Sequence, residues 1–424
     1  MTLVCRNGYY DSLTVSGRLG GGQCVTVTVE NGVISRIEHA EGTPLVLAPA
    51  FVDPHVHLRT PGREDEETIE SGTAAAAAGG YCALLAMPNT DPVVDSAAVL
   101  GSLVEAARRQ ALVPTGFMAA ISKHLGGEEL TEMAELAGAG AAAFTDDGRP
   151  VASAGLLRRA LQYAAVTDRK LALHCEEPTL SCEGQVHEGP ICAELGFAPY
   201  PSVAESTMVE RDLALAAYEC RPLHLMHLSA RESVDALRAA HARGVEATAE
   251  VTPHHLVLTD EAVRGLDPNT KMNPPLRSED DRQALVAGLR DGTIACVATD
   301  HAPHSREEKE SPFESAPFGV TGLETAFAAL HTHLVAPGLV PLETLLERMS
   351  SGPARALGLP EPRIEVGARA NLVLLDPEAE WTVTEAGFRS RSANSWLLGE
   401  RLRGSVVQTI ADGRVVHGGQ QVGP

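Results

Sequence analysis

The sequence lacks an excess of basic residues, a long apolar run and any closely paired cysteines. Its 424 residues include 34 Lys and Arg against 56 Asp and Glu, a formal net charge of −22, so we expect no nucleic-acid-binding surface. The longest apolar candidate, residues 74–87, is interrupted at Gly79, Gly80 and Tyr81 and falls short of the ~18 residues of a membrane span. The first residues have no apolar signal core, which predicts a cytoplasmic protein.

The eight cysteines are scattered along the chain without a C-x-x-C pair. In a chain of this length, such spacing is not typical of a disulfide framework or of a closed structural zinc site, and we predict reduced cysteines. With 44% apolar and 21% charged residues, the composition is that of a globular protein.

The central part of the sequence alternates between apolar, strand-like segments and helical segments such as 205–218 and 232–242. This alternation is typical of βα units around a parallel sheet, and continuously apolar strands indicate a sheet covered on both faces. Eight such units predict a (β/α)8 TIM barrel over residues 50–356. The predicted strands are residues 50–57, 81–87, 115–121, 141–145, 171–175, 223–228, 245–251 and 294–299.

The two ends of the chain show a different pattern. Residues 1–49 and 357–424 contain short alternating runs separated by Gly-Gly and Asp-Gly, which are hairpin signals. We therefore predict that both termini together form one small β-sandwich domain beside the barrel.

Several residues of the kind that bind metals fall at the ends of predicted strands. His55 and His57 are two residues apart, so their side chains point to the same side of the first strand, although an H-x-H pair alone is weak evidence for a metal. Four further strands end in acidic or imidazole side chains, and barrel enzymes build their sites at that face. Such a donor set suits Zn²⁺, Mn²⁺ or Fe²⁺, and its size favours two metals over one. The further residues are Asp146 and Asp147, His174, His227 and Asp300.

Two choices stay open at this point. Periodicity allows only one of Asp146 and Asp147 to face the barrel interior, without saying which. His254 and His255 follow Pro253 after the seventh predicted strand, where orienting a loop and binding substrate are equally consistent with their position.

Seven short segments combine His, Asp, Asn and Arg in a specific way. They are residues 53–59 (DPHVHLR), 87–90 (MPNT), 145–148 (TDDG), 174–176 (HCE), 252–256 (TPHHL), 271–277 (KMNPPLR) and 298–304 (ATDHAPH). Through these segments the sequence resembles the bacterial type I dihydroorotases of the amidohydrolase superfamily, and the resemblance extends over nearly the whole chain.

The resemblance implies a binuclear zinc centre, with two Zn²⁺ per chain. The implied ligands are His55, His57 and Asp300 for one ion, His174 and His227 for the other, and Asp147 as the bridge between them. Asp300 is also the implied catalytic general acid and base. The implied substrate-binding residues are His57, Arg59, Asn89, Asn273, His304, Phe318 and Gly319.

The implied reaction is the reversible cyclisation of N-carbamoyl-L-aspartate to (S)-dihydroorotate, in de novo pyrimidine (UMP) biosynthesis. An amide nitrogen must then attack a carboxylate, a poor electrophile that metal ions polarise. Arg59 offers a planar fork suited to the substrate α-carboxylate. The implied partner is this small molecule, with neither nucleic acid nor membrane; a homodimer and a complex with aspartate transcarbamoylase are left open.

Two other functions compete with this interpretation. Hydantoinase- or allantoinase-like cyclic amidohydrolases place a carbamylated lysine at the bridging position, where this chain has an Asp-Asp pair and no lysine. A non-catalytic dihydroorotase-like scaffold for aspartate transcarbamoylase would be expected to have lost metal ligands, and this chain keeps all six.

The segment between Pro303 and Gly319 is rich in Ser, Glu and Pro and has no regular periodicity. Long segments of this kind next to a catalytic strand are often lids. We predict that it closes over the substrate, with His304 at its base.

Overall fold

The computed structural model describes residues 2–6, 12–20 and 22–418, and its strands fall into two main groups. The central part of the chain is an α/β region with parallel strands, whereas the two terminal parts share a separate sheet. The strands are β1 (Leu13–Arg18), β2 (Cys24–Glu30), β3 (Val33–His39), β4 (Val46–Pro49), β5 (Phe51–Val56), β6 (Tyr81–Ala86), β7 (Thr115–Phe117), β8 (Leu171–Leu173), β9 (Val186–His187), β10 (Pro199–Tyr200), β11 (Leu223–Leu225), β12 (Ala247–Val251), β13 (Cys296–Val297), β14 (Leu372–Thr382), β15 (Arg401–Ala411) and β16 (Arg414–His417).

Helices connect most of the central strands and cover them from outside. They are α1 (Ile69–Ala78), α2 (Ala97–Gln110), α3 (Met133–Ala139), α4 (Ala154–Ala164), α5 (Pro178–Ser181), α6 (Pro190–Leu195), α7 (Val203–Glu219), α8 (Arg231–Ala242), α9 (Pro253–Val257), α10 (Glu279–Asp291), α11 (Arg306–Lys309), α12 (Ala326–Leu330), α13 (Leu342–Met349) and α14 (Ser351–Leu357). Among the helices of the described ranges, none is both long and apolar enough to cross a lipid bilayer.

The central strands pair in parallel in one continuous order. Strand β5 pairs with β6, and β6 with β7; β8, β11, β12 and β13 follow one another in a second sheet. Parallel bridges connect the two sheets, because Phe144 pairs with both Ala119 and Leu171, and Val56 pairs with His301. The pairing therefore passes from β5 through β13 and returns to β5.

The predicted strand at 141–145 is present as an extended segment rather than as a regular strand. Its backbone is bonded on both sides: the amide of Thr145 donates to Ala119, and the amide of Phe144 donates to Lys170. The segment thus fills the position between β7 and β8 with only isolated bridges.

The terminal sheet has seven strands in the order β16-β15-β14-β4-β1-β2-β3. Alternate residues such as Val25, Val27 and Leu374 are buried in a second apolar cluster, distinct from the central core, as expected for a sheet with one packed face. Strand β4 ends at Pro49 and β5 begins at Phe51, so the chain passes directly from this sheet into the central strands.

Helix α1 shows how local sequence sets the packing beside the first central strand. The Thr68 side chain accepts the amide of Ser71, and the Ser71 side chain accepts the amide of Thr68, a reciprocal cap that fixes the helix start. At its other end, a Cβ on Gly79 would lie 2.1 Å from the carbonyl oxygen of Leu323, so only glycine permits this close approach.

Candidate active site

Acidic, imidazole and amide side chains meet at the carboxyl ends of the central parallel strands. This edge is where open and closed α/β sheets bind ligands, because loops from several strands converge there. The side chains open onto a cavity of about 190 Å³. The predicted site residues on its wall are His57, Arg59, Asn89, Asp147, His174, His227, Asn273, Asp300, His304, Phe318 and Gly319.

The structure brings His55, His57 and Asp300 together as one donor group. One carboxylate oxygen of Asp300, Oδ1, lies 3.1 Å from Nε2 of His57 and 3.4 Å from Nε2 of His55. His55 is fully buried, and its Nε2 has no hydrogen-bond partner among the described residues. A buried nitrogen that points at carboxylates without a hydrogen bond is what an open coordination position requires.

Asp147 lies between that group and the remaining histidines. Its Oδ1 is 3.5 Å from Nε2 of His55 and 3.6 Å from Nε2 of His227, and its Oδ2 is 3.5 Å from Nε2 of His57. The Nδ1 of His174 lies 3.0 Å from Nε2 of His227 and 4.0 Å from Asp147. A carboxylate in this central position can contact two ligand groups at once.

The neighbouring Asp146 has a different environment. Its Oδ1 accepts the amides of Ile121 and Ser122 at 2.8 and 3.0 Å, and its Oδ2 accepts the Ser122 hydroxyl. The two aspartates therefore point to opposite sides of their strand, as the alternation of side chains requires. Asp147 faces the cavity, whereas Asp146 binds the backbone that follows β7.

The carboxylates and imidazoles of this cluster stabilise each other's charged forms. Burial lowers the pKa of His55, but the surrounding carboxylates, with Asp147 and Asp300 foremost, outweigh it and hold that pKa well above its usual value. Burial raises the pKa of Asp147, yet the adjacent histidines, led by His55, bring it well below its usual range. The pKa of Asp300 is lowered by the same histidines against the same effect of burial. So much buried negative charge around imidazole nitrogens fits a metal cation.

Two acidic residues that sequence reasoning missed hold these histidines in place. Glu250, in β12, lies 2.7 Å from Nδ1 of His55 through Oε1 and 2.9 Å from Nε2 of His224 through Oε2. Glu176 accepts Nε2 of His174 at 3.0 Å, which leaves the other ring nitrogen facing Asp147. Carboxylates behind metal-binding histidines fix ring orientation and tautomer. Glu250 is the only charged residue of the strand Ala247–Val251, and this was the one sign in the sequence that it has a specific role.

The predicted substrate-binding residues line the same cavity beside the donor cluster. Asn89 connects to the donor cluster, because its Nδ2 donates to Asp147 at 3.2 Å and its Oδ1 lies 3.0 Å from Nδ1 of His57. Asn273 donates weakly to Glu176 at 3.4 Å, and its buried Oδ1 has no partner within the described residues. These amides present both donors and acceptors to a ligand.

The guanidinium of Arg59 and the imidazole of His304 lie side by side next to the Phe318 backbone. The Nε of Arg59 donates to the carbonyl of Pro303 at 3.0 Å, and Nε2 of His304 lies 2.8 Å from the carbonyl oxygen of Phe318. An Nη2 group of Arg59 lies 3.3 Å from the same ring nitrogen. This side of the cavity therefore offers donors for an anionic group.

Three of the site residues have backbone conformations that L-amino acids rarely adopt. The φ angles of Arg59, His227 and Asp300 are +54°, +32° and +48°. Such conformations cost on the order of 1–3 kcal/mol each and are found where the surrounding structure holds them for function. Gly319 has a φ of +103°, and a Cβ there would lie 2.6 Å from Cβ of Ala302, so the cavity wall needs glycine at this position.

The two histidines that the sequence left open are both buried. His255 is engaged at both ring nitrogens, with Nδ1 2.7 Å from the Thr252 hydroxyl and Nε2 2.9 Å from the carbonyl of Pro274. Burial lowers its pKa to about 3. His255 therefore orients the loop that carries Asn273, and His254 packs against its ring.

Comparison with known proteins identifies the family to which the sequence is similar. A family model described as "Dihydro-orotase-like" matches residues 45–233, and one described as "Amidohydrolase family" matches residues 216–417. The chain is 42% identical to a dihydroorotase of Caldanaerobacter subterraneus subsp. tengcongensis, covering 98% of this chain and 97% of that one. It is 47% identical to a dihydroorotase of Pelotomaculum thermopropionicum, covering 88% and 87%.

Solved structures with a similar fold include an L-hydantoinase (dihydropyrimidinase) from Arthrobacter aurescens. The two folds agree with a TM-score of 0.87 over 98% of both chains, at 24% sequence identity. A D-hydantoinase structure agrees with a TM-score of 0.80 at 23% identity, covering 99% of this chain and 95% of that one. At such identities the likeness concerns the fold alone.

Proposed function

Because the chain belongs to the dihydroorotase family, we propose that it catalyses the reversible cyclisation of N-carbamoyl-L-aspartate to (S)-dihydroorotate in pyrimidine biosynthesis. The chain is an enzyme of the cyclic amidohydrolase type. The observation that carries the proposal is the meeting, in one cavity, of residues from six of the seven motif segments. These segments lie as far apart in sequence as Arg59 and His304.

We infer that the central strands form a (β/α)8 barrel over residues 50–356. The return of parallel pairing from β13 to β5 at Val56 and His301 supports this inference, as does the likeness to hydantoinase folds. Residues 1–49 and 357–424 are proposed as the second domain, of which residues 1, 7–11, 21 and 419–424 lie outside the described part. Its described strands form one seven-stranded sheet, whereas the predicted β-sandwich requires two packed sheets.

We further propose that the site holds two Zn²⁺ ions. His55, His57 and Asp300 would hold one ion, His174 and His227 would hold the other, and Asp147, which lies between the two groups, would serve both. Two observations support this set: Nε2 of His55 has no hydrogen-bond partner among the described residues, and the buried imidazoles and carboxylates lie close together. When bound, the zinc ions supply Lewis-acid polarisation of the carboxylate that the nitrogen attacks.

Substrate placement and proton transfer fall to the side chains of this chain. Arg59 and His304 bind the α-carboxylate, and Asn89 and Asn273 bind polar atoms of the carbamoyl group and the ring. The backbone at Phe318 and Gly319 closes that side of the cavity.

Asp300 is the general base and acid in this proposal. In the direction of ring closure, its carboxylate takes a proton from the attacking carbamoyl nitrogen as the C–N bond forms. It then delivers this proton to the oxygen that leaves the carboxylate, which departs as hydroxide and becomes water by taking a second proton from the solvent. Hydrolysis of dihydroorotate runs the same transfers in reverse.

The test is a spectroscopic assay of dihydroorotate hydrolysis on the purified protein and its Asp300→Asn variant. We expect turnover by the parent protein and a kcat loss of about 10²–10⁴-fold in the variant, the usual size of a general acid–base contribution. Asp291→Asn, which removes a charge from the exposed last residue of α10, is the matched control and should retain activity. Turnover of hydantoin or allantoin by a protein that leaves dihydroorotate intact would overturn the proposal in favour of another cyclic amidohydrolase.

A non-catalytic scaffold is disfavoured, because all six proposed metal ligands are present and converge. Cytoplasmic location, a homodimer and association with aspartate transcarbamoylase stay predictions.

A further inference from the structure

Glu66 is a buried carboxylate that the reaction described above does not use. It is 1% exposed and lies in the loop before α1, directly behind the two residues proposed to bind the substrate carboxylate. Burying an ionised carboxylate is costly unless every oxygen is paired, so its partners indicate its role.

Each oxygen of Glu66 engages one of those two residues. Its Oε2 lies 3.2 Å from Nε of Arg59, and its Oε1 lies 3.1 Å from Nδ1 of His304. Nη2 of Arg63 also donates to Oε1, at 3.0 Å. One carboxylate therefore spans the gap between two side chains that are 245 residues apart in sequence.

These contacts restrict which atoms remain for a ligand. Glu66 and the Pro303 carbonyl both lie at Nε of Arg59, so the terminal Nη groups are the donors left for a bidentate anion. At His304, Glu66 lies 3.1 Å and Glu308 3.4 Å from Nδ1, and the Phe318 carbonyl lies 2.8 Å from Nε2. A substrate oxygen that binds at Nε2 replaces the Phe318 carbonyl there, while Glu66 keeps its contact at Nδ1. The ring plane of His304 is thereby fixed.

The charge balance of this cluster also fits a positioning role. Arg63 and Glu308 form an ion pair at 2.8 Å on the outer side of the cluster. Arg63 thus shares its positive charge between Glu66 and Glu308, and Glu66 is paired with two arginines rather than with Arg59 alone.

We propose that Glu66 is a positioning residue that sets specificity for the substrate carboxylate by holding Arg59 and His304 in one fixed arrangement. This inference rests on the proposed function, because it concerns the carboxylate that distinguishes dihydroorotate from uncharged cyclic ureides. Glu66 itself does not touch the substrate; it acts through the two side chains.

The test compares two ligands that differ only by that carboxylate. KM is measured for dihydroorotate, and the inhibition constant is measured for dihydrouracil as a competitor. In Glu66→Gln, the amide offers a single acceptor, so one of the two side chains is released. We expect KM for dihydroorotate to rise about tenfold, with kcat changed less than threefold and the dihydrouracil constant unchanged, as for loss of one charged hydrogen bond in the bound complex.

Two further variants make the result decisive. Glu66→Asp keeps the charge but shortens the side chain by one methylene, so its KM for dihydroorotate should lie between those of the parent and of Glu66→Gln. If Glu66→Gln does not fold, the KM of Glu66→Asp tests the positioning role by itself. Asp65→Asn removes a charge from the neighbouring, exposed position and should leave all constants unchanged.

The outcomes separate this inference from the proposed function. A parent protein that does not turn over dihydroorotate contradicts the function itself. A parent that does, with Glu66→Gln or Glu66→Asp at unchanged KM, overturns the role of Glu66. Equal weakening of dihydroorotate and dihydrouracil also overturns it, because general damage to the fold affects both ligands.

Discussion

Removal of Glu250 should weaken both the fold and the metal site, and the size of each effect follows from its contacts. Its carboxylate is 1% exposed and pairs with two buried rings, His55 at 2.7 Å and His224 at 2.9 Å. Burial raises its pKa, but the two histidines outweigh this and lower it to about 2, so it is ionised at neutral pH. Breaking a buried, charged pair from one side costs about 3–5 kcal/mol, because the remaining partner stays buried and unpaired.

We therefore expect Glu250→Ala to lose about 3–5 kcal/mol of unfolding free energy, measured by urea denaturation of the chelator-treated protein. Glu250→Gln keeps one acceptor oxygen and should lose about 1–3 kcal/mol, the cost of one unsatisfied buried group. Because His55 loses its orienting carboxylate, zinc affinity should fall about 10–100-fold in both variants, measured by competition with a chromogenic chelator.

The matched control is Glu246→Gln, an exposed acid just before the same strand, which should change stability by less than about 0.5 kcal/mol. A Glu250→Ala variant within about 1 kcal/mol of the parent, and with parental zinc affinity, would refute the reasoning.

Two more predictions concern the site's surroundings. Asp146→Ala should lower unfolding free energy by about 2–4 kcal/mol, because it leaves two backbone amides and the Ser122 hydroxyl without their acceptor; urea denaturation checks this, and zinc binding equal to that of Asp147→Ala would contradict the separate roles. Burial lowers the pKa of Lys309 to about 7, and its amine donates to two carbonyls, the number that a neutral amine can satisfy. Between about pH 7 and 10.5 the unfolded chain then binds more protons than the folded one, so stability rises with pH across that window. The stability difference between the parent and Lys309→Met should grow in favour of the parent from pH 7 to 10, and a difference independent of pH would contradict it.

The sequence predicted the elements that carry the site because each signal was local and periodic. Apolar runs marked the central strands, and helices at Val203–Glu219 and Arg231–Ala242 match the predicted 205–218 and 232–242. The alternation of side chains explains why His55 and His57 share one side of their strand, and strand ends explain why His174 and His227 meet them.

What the sequence left open depended on contacts between distant segments. The choice between Asp146 and Asp147 is made by backbone amides at Ile121 and Ser122, which periodicity does not reveal. The pairing of Glu250 with His55 joins residues 195 positions apart. The sequence of a strand with one acidic residue does not identify the residue with which that acid pairs.

Closure of the loop from Pro303 to Gly319 over the substrate stays a prediction. The structure shows how the loop is attached: the amine of Lys271 donates to the carbonyls of Phe313, Glu314 and Ala316 at 2.8–2.9 Å. Three acceptors match the three hydrogens of an ammonium group, and motion of the loop would have to preserve or break these bonds together.

Zinc content per chain, measured by elemental analysis together with dihydroorotate hydrolysis on the same sample, tests the two-metal site most directly. We expect about two zinc per chain, with hydrolysis lost on chelation and restored by added zinc. One zinc per chain with full activity would contradict the bridging role of Asp147, and two zinc without any turnover of dihydroorotate would contradict the proposed function.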